Sequence, residues 1–128
     1  MPDVAAAAAP YAFIVAPFNV GTPPAEASAF ERAKALGWCS FATSPFVRGW
    51  DLDARVARAK ARSNEPEAEL RARIADAMLR YTAFGAGIDR VIVQMRRPEW
   101  ISANVQSVAK GPLSDEARRW LVGLGEDA

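Results

Sequence analysis

Residues 11–43, YAFIVAPFNVGTPPAEASAFERAKALGWCSFAT, hold two apolar runs separated by an amphipathic stretch. Tyr11 to Ala16 is continuously apolar and stops at Pro17, the pattern of a strand buried on both faces. Gly21, Pro23 and Pro24 then mark a loop. From Ala25 to Leu36, the residues Ala29, Phe30, Ala33 and Leu36 recur at helical spacing, and Gly37 supplies the stop. Trp38 to Thr43 is a second apolar run. A strand, a helix and a strand in this order predict a right-handed crossover and a parallel pair.

Outward from this unit the alternation continues. Ser44-Pro45-Phe46 and the polar segment through Asn64 read as a long loop. Leu70, Ile74, Ala77, Tyr81 and Phe84 then fall at intervals of four, three, four and three, a core-facing stripe with Arg71, Arg73, Asp76 and Arg80 elsewhere. Gly85 and Gly87 end that helix, and Val91-Ile92-Val93 forms a third strand. Pro98 opens a further helix through Ile101, Val105 and Val108, which Gly111-Pro112 breaks. Ser114 caps a last helix with Ala117, Trp120, Leu121 and Leu124 on one stripe. The expected fold class is α/β, with about three parallel strands and intervening helices. Periodicity leaves open whether the sheet is doubly wound or part of a barrel. Either way, ligands meet the loops after Ala16, Thr43 and Val93.

Composition narrows the chemistry. The chain has 128 residues, 51% of them hydrophobic, and a formal charge of +1, so no global field recruits nucleic acid or a membrane surface. It contains no histidine and one cysteine, which excludes Ser-His-Asp and Cys-His catalysis, His-ligated zinc and thiolate-rich metal sites within it. Cys39, in an apolar run, reads as a small buried hydrophobe. Val4 to Ala9 is too short for a spanning helix and carries no basic n-region. The expectation is a cytoplasmic protein with residues 1–10 as an N-terminal segment and residues 11–128 as one folded part. The arginines from Arg55 to Arg62 are flanked by Asp51, Asp53 and Glu65 to Glu69 without interleaved aromatics, a poor nucleic-acid contact.

Five ordered segments carry a family resemblance. Ala42-Thr43-Ser44-Pro45-Phe46-Val47-Arg48-Gly49 resembles the A-Y-S-P-L-x-x-G segment at the seventh strand of the aldo/keto reductases. Gln94 to Asn104 (QMRRPEWISAN) is similar to that family's G-T/M-R-x-P-E-x-x-x-x-N stretch after strand eight, and Ile14 to Asn19 (IVAPFN) to its x-Q-x-P-Y-N sixth-strand pattern. Ala77 to Tyr81 and Leu113 to Glu116 match its A-x-x-x-L-R-Y/W-x-L and L-S-x-E-E patterns. The resemblance runs from about Tyr11 to Leu121 and implies the C-terminal part of a (β/α)8 TIM barrel.

Further implications of the resemblance are an NADP(H) cofactor and carbonyl or alcohol substrates. Ser44 and Phe46 correspond to the loop that wraps the pyrophosphate, Met95 and Arg96 to the segment that holds the adenosine 2′-phosphate, and Asn104 to an adenine contact. The bland alternatives are that Arg96 and Arg97 are solvated surface charges and that Asn104 is a helix-surface amide. Trp100 either stacks on adenine or packs into the core. Thr43 stands where relatives place a Tyr against the nicotinamide, and Val15 where a Gln holds the carboxamide, so the nicotinamide end is weakened. The family's Asp, Tyr, Lys and His tetrad lies on earlier barrel strands, so no catalytic residue is carried over. The alternative expectation is a catalytically inert remnant that binds a nucleotide or a protein. Three strands alone leave the face turned to the barrel axis bare, about two residues per strand at ~1.5–3 kcal/mol each. The expected remedies are self-association, a complementary N-terminal half-barrel, or an N-terminal segment laid across the face.

Overall fold

The computed structural model describes residues 13–46 and 50–125. Their element order is β1 (Phe13–Pro17), α1 (Pro24–Ala35), β2 (Cys39–Thr43), α2 (Trp50–Arg62), α3 (Glu67–Ala83), β3 (Arg90–Val91), α4 (Pro98–Ala109) and α5 (Asp115–Gly123). The expected strand start at Tyr11, the N-terminal segment, and Val47, Arg48 and Gly49 lie outside the described residues. The fold is α/β with a three-stranded parallel sheet ordered β1-β2-β3.

The polar segment after Phe46 is not simply a long loop, because residues 50–62 form α2. Leu52, Val56 and Ala59 fall at helical spacing and pack against the stripe of α3. Asp51 and Asp53 in the first turn and Lys60 and Arg62 in the last complement the helix dipole. The third strand is also shorter than expected and starts one residue earlier. Its ladder is continued by Ile92 N–H donating to the Ala42 carbonyl.

Two apolar cores result. Ile14 and Ala16 of β1 and Ala42 of β2 pack on Ala29, Phe30 and Ala33 of α1, together with Phe18, Trp38 and Ile88. Leu70, Ile74, Ala77 and Met78 of α3 meet Val56 and Ala59 of α2, Leu121 of α5 and its C-cap Leu124. Tyr81 touches both cores. Gly87 fixes how closely the α3–β3 turn approaches α1. It has φ +78°, and a Cβ there would lie 2.7 Å from the Phe30 carbonyl carbon.

Among the described residues, the sheet is covered on one face only. In the parallel register, Ile14 pairs with Ser40 and Ala16 with Ala42 on the covered face, while Phe13 pairs with Cys39 and Val15 with Phe41 on the other. Phe13 is 62% and Val15 51% exposed, and Ile92 is 50% exposed. Phe13 and Phe41 form an edge-to-face pair at 6.4 Å. Cys39, expected to be buried, is half-buried on this open face.

Candidate functional site

Parallel strands end at one edge of the sheet, so the segments after β1, β2 and β3 leave it at the same end. That end is pinned from both sides. Phe18 N–H donates to the Thr43 carbonyl at 3.1 Å, continuing the β1–β2 ladder. The Thr82 hydroxyl of α3 donates to the Phe18 carbonyl at 3.2 Å. Phe18 stacks on Tyr81 and meets Phe30 edge-on, at 5.9 and 5.7 Å.

Asn19 organises the first of these loops and reaches the second. It is buried. Its N–H donates to the Thr22 hydroxyl, and its side-chain oxygen accepts from Gly21 N–H at 2.9 Å. Its Nδ2 donates to the Ser44 carbonyl at 3.3 Å. A buried amide used at both ends is a stiff link. The sequence match at Ile14–Asn19 pointed to this position without a role for it; Thr22, three residues on, was the local cue to a polar turn.

Ser44 follows β2 directly and adopts φ 56°, the sole non-glycine among the described residues with positive φ. That conformation is costly for an L-residue, and here it is held between the β2 ladder and the buried Pro45. Ser44 is exposed. Phe46, the second residue assigned to this loop, is half-buried and packs against the helical core of α2, α3 and α5. It anchors the loop.

Met95 and Arg96 lie between β3 and α4, and both are exposed. Arg97 is the N-cap of α4 in extended conformation, and its side chain makes no capping bond; Pro98 is at the first helical position. The first turn therefore has donors without a side-chain cap, with Glu99 as an opposing negative charge. Arg97 places its guanidinium 5.3 Å from the Trp100 ring centre. Trp100 is 43% exposed, so neither core packing nor full solvation describes it. Asn104 sits half-buried on α4, about 9 Å along the axis from Pro98 at 1.5 Å per residue. Ser44 and Phe46 share one loop and Met95 and Arg96 its neighbour. No hydrogen bond among the described residues joins Ser44, Arg96 and Asn104.

Val15 and Thr43 both fall on the open face of the sheet, Thr43 opposite Pro17. The arginines of α2 are engaged elsewhere. Arg55 donates to Asp51 within α2, and Arg55, Arg58 and Arg62 donate to the Leu121, Leu124 and Gly123 carbonyls at the C-terminal end of α5. No group of acidic or cysteine side chains among the described residues is placed to hold a metal ion. None of the described helices is long and apolar enough to cross a membrane.

Comparison with known proteins adds no family. No protein-family model and no curated protein matches the chain.

Proposed function

We propose that the chain is the C-terminal, cofactor-binding part of an aldo/keto reductase-like, NADP(H)-dependent oxidoreductase of carbonyl or alcohol substrates, and that it contributes no catalytic residue. The observation that carries this reading is the Asn19–Ser44 link, which stiffens two neighbouring strand-end loops and holds Ser44 at φ 56° beside the segment bearing Arg96. A hydroxyl, an exposed guanidinium and the unfilled N–H groups of α4 suit a phosphate. Asn104, further along α4, is within the reach of the base of a nucleotide whose phosphate rests at the helix start. Val15 and Thr43 offer neither an amide nor an aromatic ring, so the nicotinamide end is the weaker one. In this reading the fold is a segment of a (β/α)8 barrel, in keeping with the consecutive strand order and the single covered face.

The second reading, an inert remnant acting as a nucleotide- or protein-binding module, is favoured by one observation, the bare sheet face around Phe13 and Val15. Calorimetric titration of the chain and of Arg96→Ala with NADPH and NADH tests the nucleotide site. A charge-assisted contact is worth ~1.5–3 kcal/mol, so Arg96→Ala should weaken NADPH about 10- to 100-fold and leave NADH unchanged. Equal affinity of both proteins for NADPH removes Arg96 from the site.

A further inference from the structure

We infer that a second copy of this chain continues the sheet, its β1 lying parallel to β3 and its α1 against α4. The inference rests on the sheet's free edges and apolar faces and on the second reading above, the free-standing module, since in the first the same edges adjoin the rest of the barrel. Among the described residues, β1 and β3 are the two edge strands, each paired on one side only. Open edges of this kind are templates for further pairing.

The helix after β3 is bare on the same side. A helix that follows a parallel strand ordinarily lies in the groove between that strand and the next. Beyond β3 no strand is present among the described residues, and α4 buries only Ser107. Ile101 and Val105 of its apolar stripe are 48% and 63% exposed. In such a contact one copy brings Phe13 and Val15 of its β1 side and the other Ile92, Trp100, Ile101 and Val105 of its β3 side, each 43–63% exposed.

A partner has to offer a parallel strand with an apolar open face, followed by a helix on the covered face. The β1–α1 unit of the same chain has that form, and it leaves the other edge of the second copy free in turn. The charges are complementary. Arg96 and Arg97 leave β3 at the sheet end where Glu26 opens α1. Among the described residues Arg96 and Arg97 have no carboxylate partner, and Glu26 has no basic one. The contact is heterologous, β1 side against β3 side.

Sedimentation velocity of the full chain tests this, with circular dichroism as the check on folding. The wild type is expected to be a dimer or larger ring, and Val15→Asp and Val105→Asp are each expected to be folded monomers. An equimolar mixture of the two variants should regain a dimer, since one wild-type β3 side and one wild-type β1 side remain. If either aspartate variant unfolds, Val15→Thr and Val105→Ser carry the same comparison. A wild-type monomer at ~100 µM overturns the inference, as does an oligomer that both variants leave intact or a mixture that stays monomeric. Capture of a monomeric wild type by a separately produced N-terminal half-barrel would also overturn it and assign the surface to that partner.

Discussion

Arg55 is the charged side chain on which the helical half of the protein depends most. Its side chain is 5% exposed; Nε donates to Asp51 at 2.9 Å, and the other end of the guanidinium donates to the Leu121 carbonyl. Replacement by Met keeps much of the apolar stem but leaves Asp51 without its cation and the carbonyl without its strong donor. A buried polar group left unsatisfied costs ~1–3 kcal/mol, and a buried charge that loses its partner ~3–5 kcal/mol. Two features reduce this. Asp51 retains 20% exposure, and the Leu121 carbonyl still accepts from Leu124 N–H at 3.2 Å. The expected loss is therefore ~2–3 kcal/mol, a fall of about 1–2 M in the urea midpoint at a slope near 1.5 kcal/mol/M. Arg71→Met is the control, because the Arg71–Asp53 pair has side chains 43% and 66% exposed and should contribute less than ~0.5 kcal/mol once water screens it. Urea titrations followed by tryptophan fluorescence measure both. Equal midpoints for the two variants would refute the claim that Arg55 fastens α2 to α5.

Three further outcomes follow from the same structure. Ser114 accepts from Ala117 N–H at 3.1 Å as the α5 N-cap, so Ser114→Ala should cost ~1 kcal/mol in the same titration. Gly87→Ala forces both a left-handed alanine and a 2.7 Å approach to the α1 backbone, and a loss above ~1 kcal/mol is expected; a stabilised variant would contradict the described turn. Burial pushes the Asp76 carboxyl up, but hydrogen bonds from Ser107, Lys110 and Arg80 outweigh it and hold the group below its ordinary 3.8. Its folded value is depressed, so its contribution is full above the unfolded value and is lost as pH falls through the folded one. Stability profiles of wild type and Asp76→Asn between pH 6 and 2 should accordingly converge in acid, and a constant gap would contradict the assignment.

How much of this was legible in the sequence depends on where apolar residues were dense. The stripe Leu70, Ile74, Ala77 and Tyr81 announces α3 because nothing in it interrupts the period, and Leu70, Ile74 and Ala77 are buried. Phe84, read as the end of that stripe, is instead the exposed C-cap residue. The helix α2 was not legible as such, since Leu52, Val56 and Ala59 are outnumbered by charges and the most buried cation, Arg55, reads as solvated from its type alone. Its acidic first turn and basic last turn were the available cue. At the candidate site, the apolar run ending at Thr43 puts Ser44 directly after β2, whereas Met95 and Arg96 fall in the coil four and five residues past β3. The left-handed backbone of Ser44 and the cross-loop bond from Asn19 depend on contacts 25 residues apart, which no local pattern encodes. Exposure of Ile101 and Val105 was equally hidden, because an apolar stripe looks the same whether or not a strand lies beneath it.

We propose that a phosphate-and-adenine site persists in this chain while the nicotinamide end is weak. Calorimetric titration with 2′,5′-ADP, which carries adenine and the 2′-phosphate but no nicotinamide, tests it most directly beside NADPH. 2′,5′-ADP is expected to bind within a few-fold of NADPH and to displace it. Failure of both to bind at millimolar concentration, or binding of NADPH that 2′,5′-ADP does not displace, would contradict it.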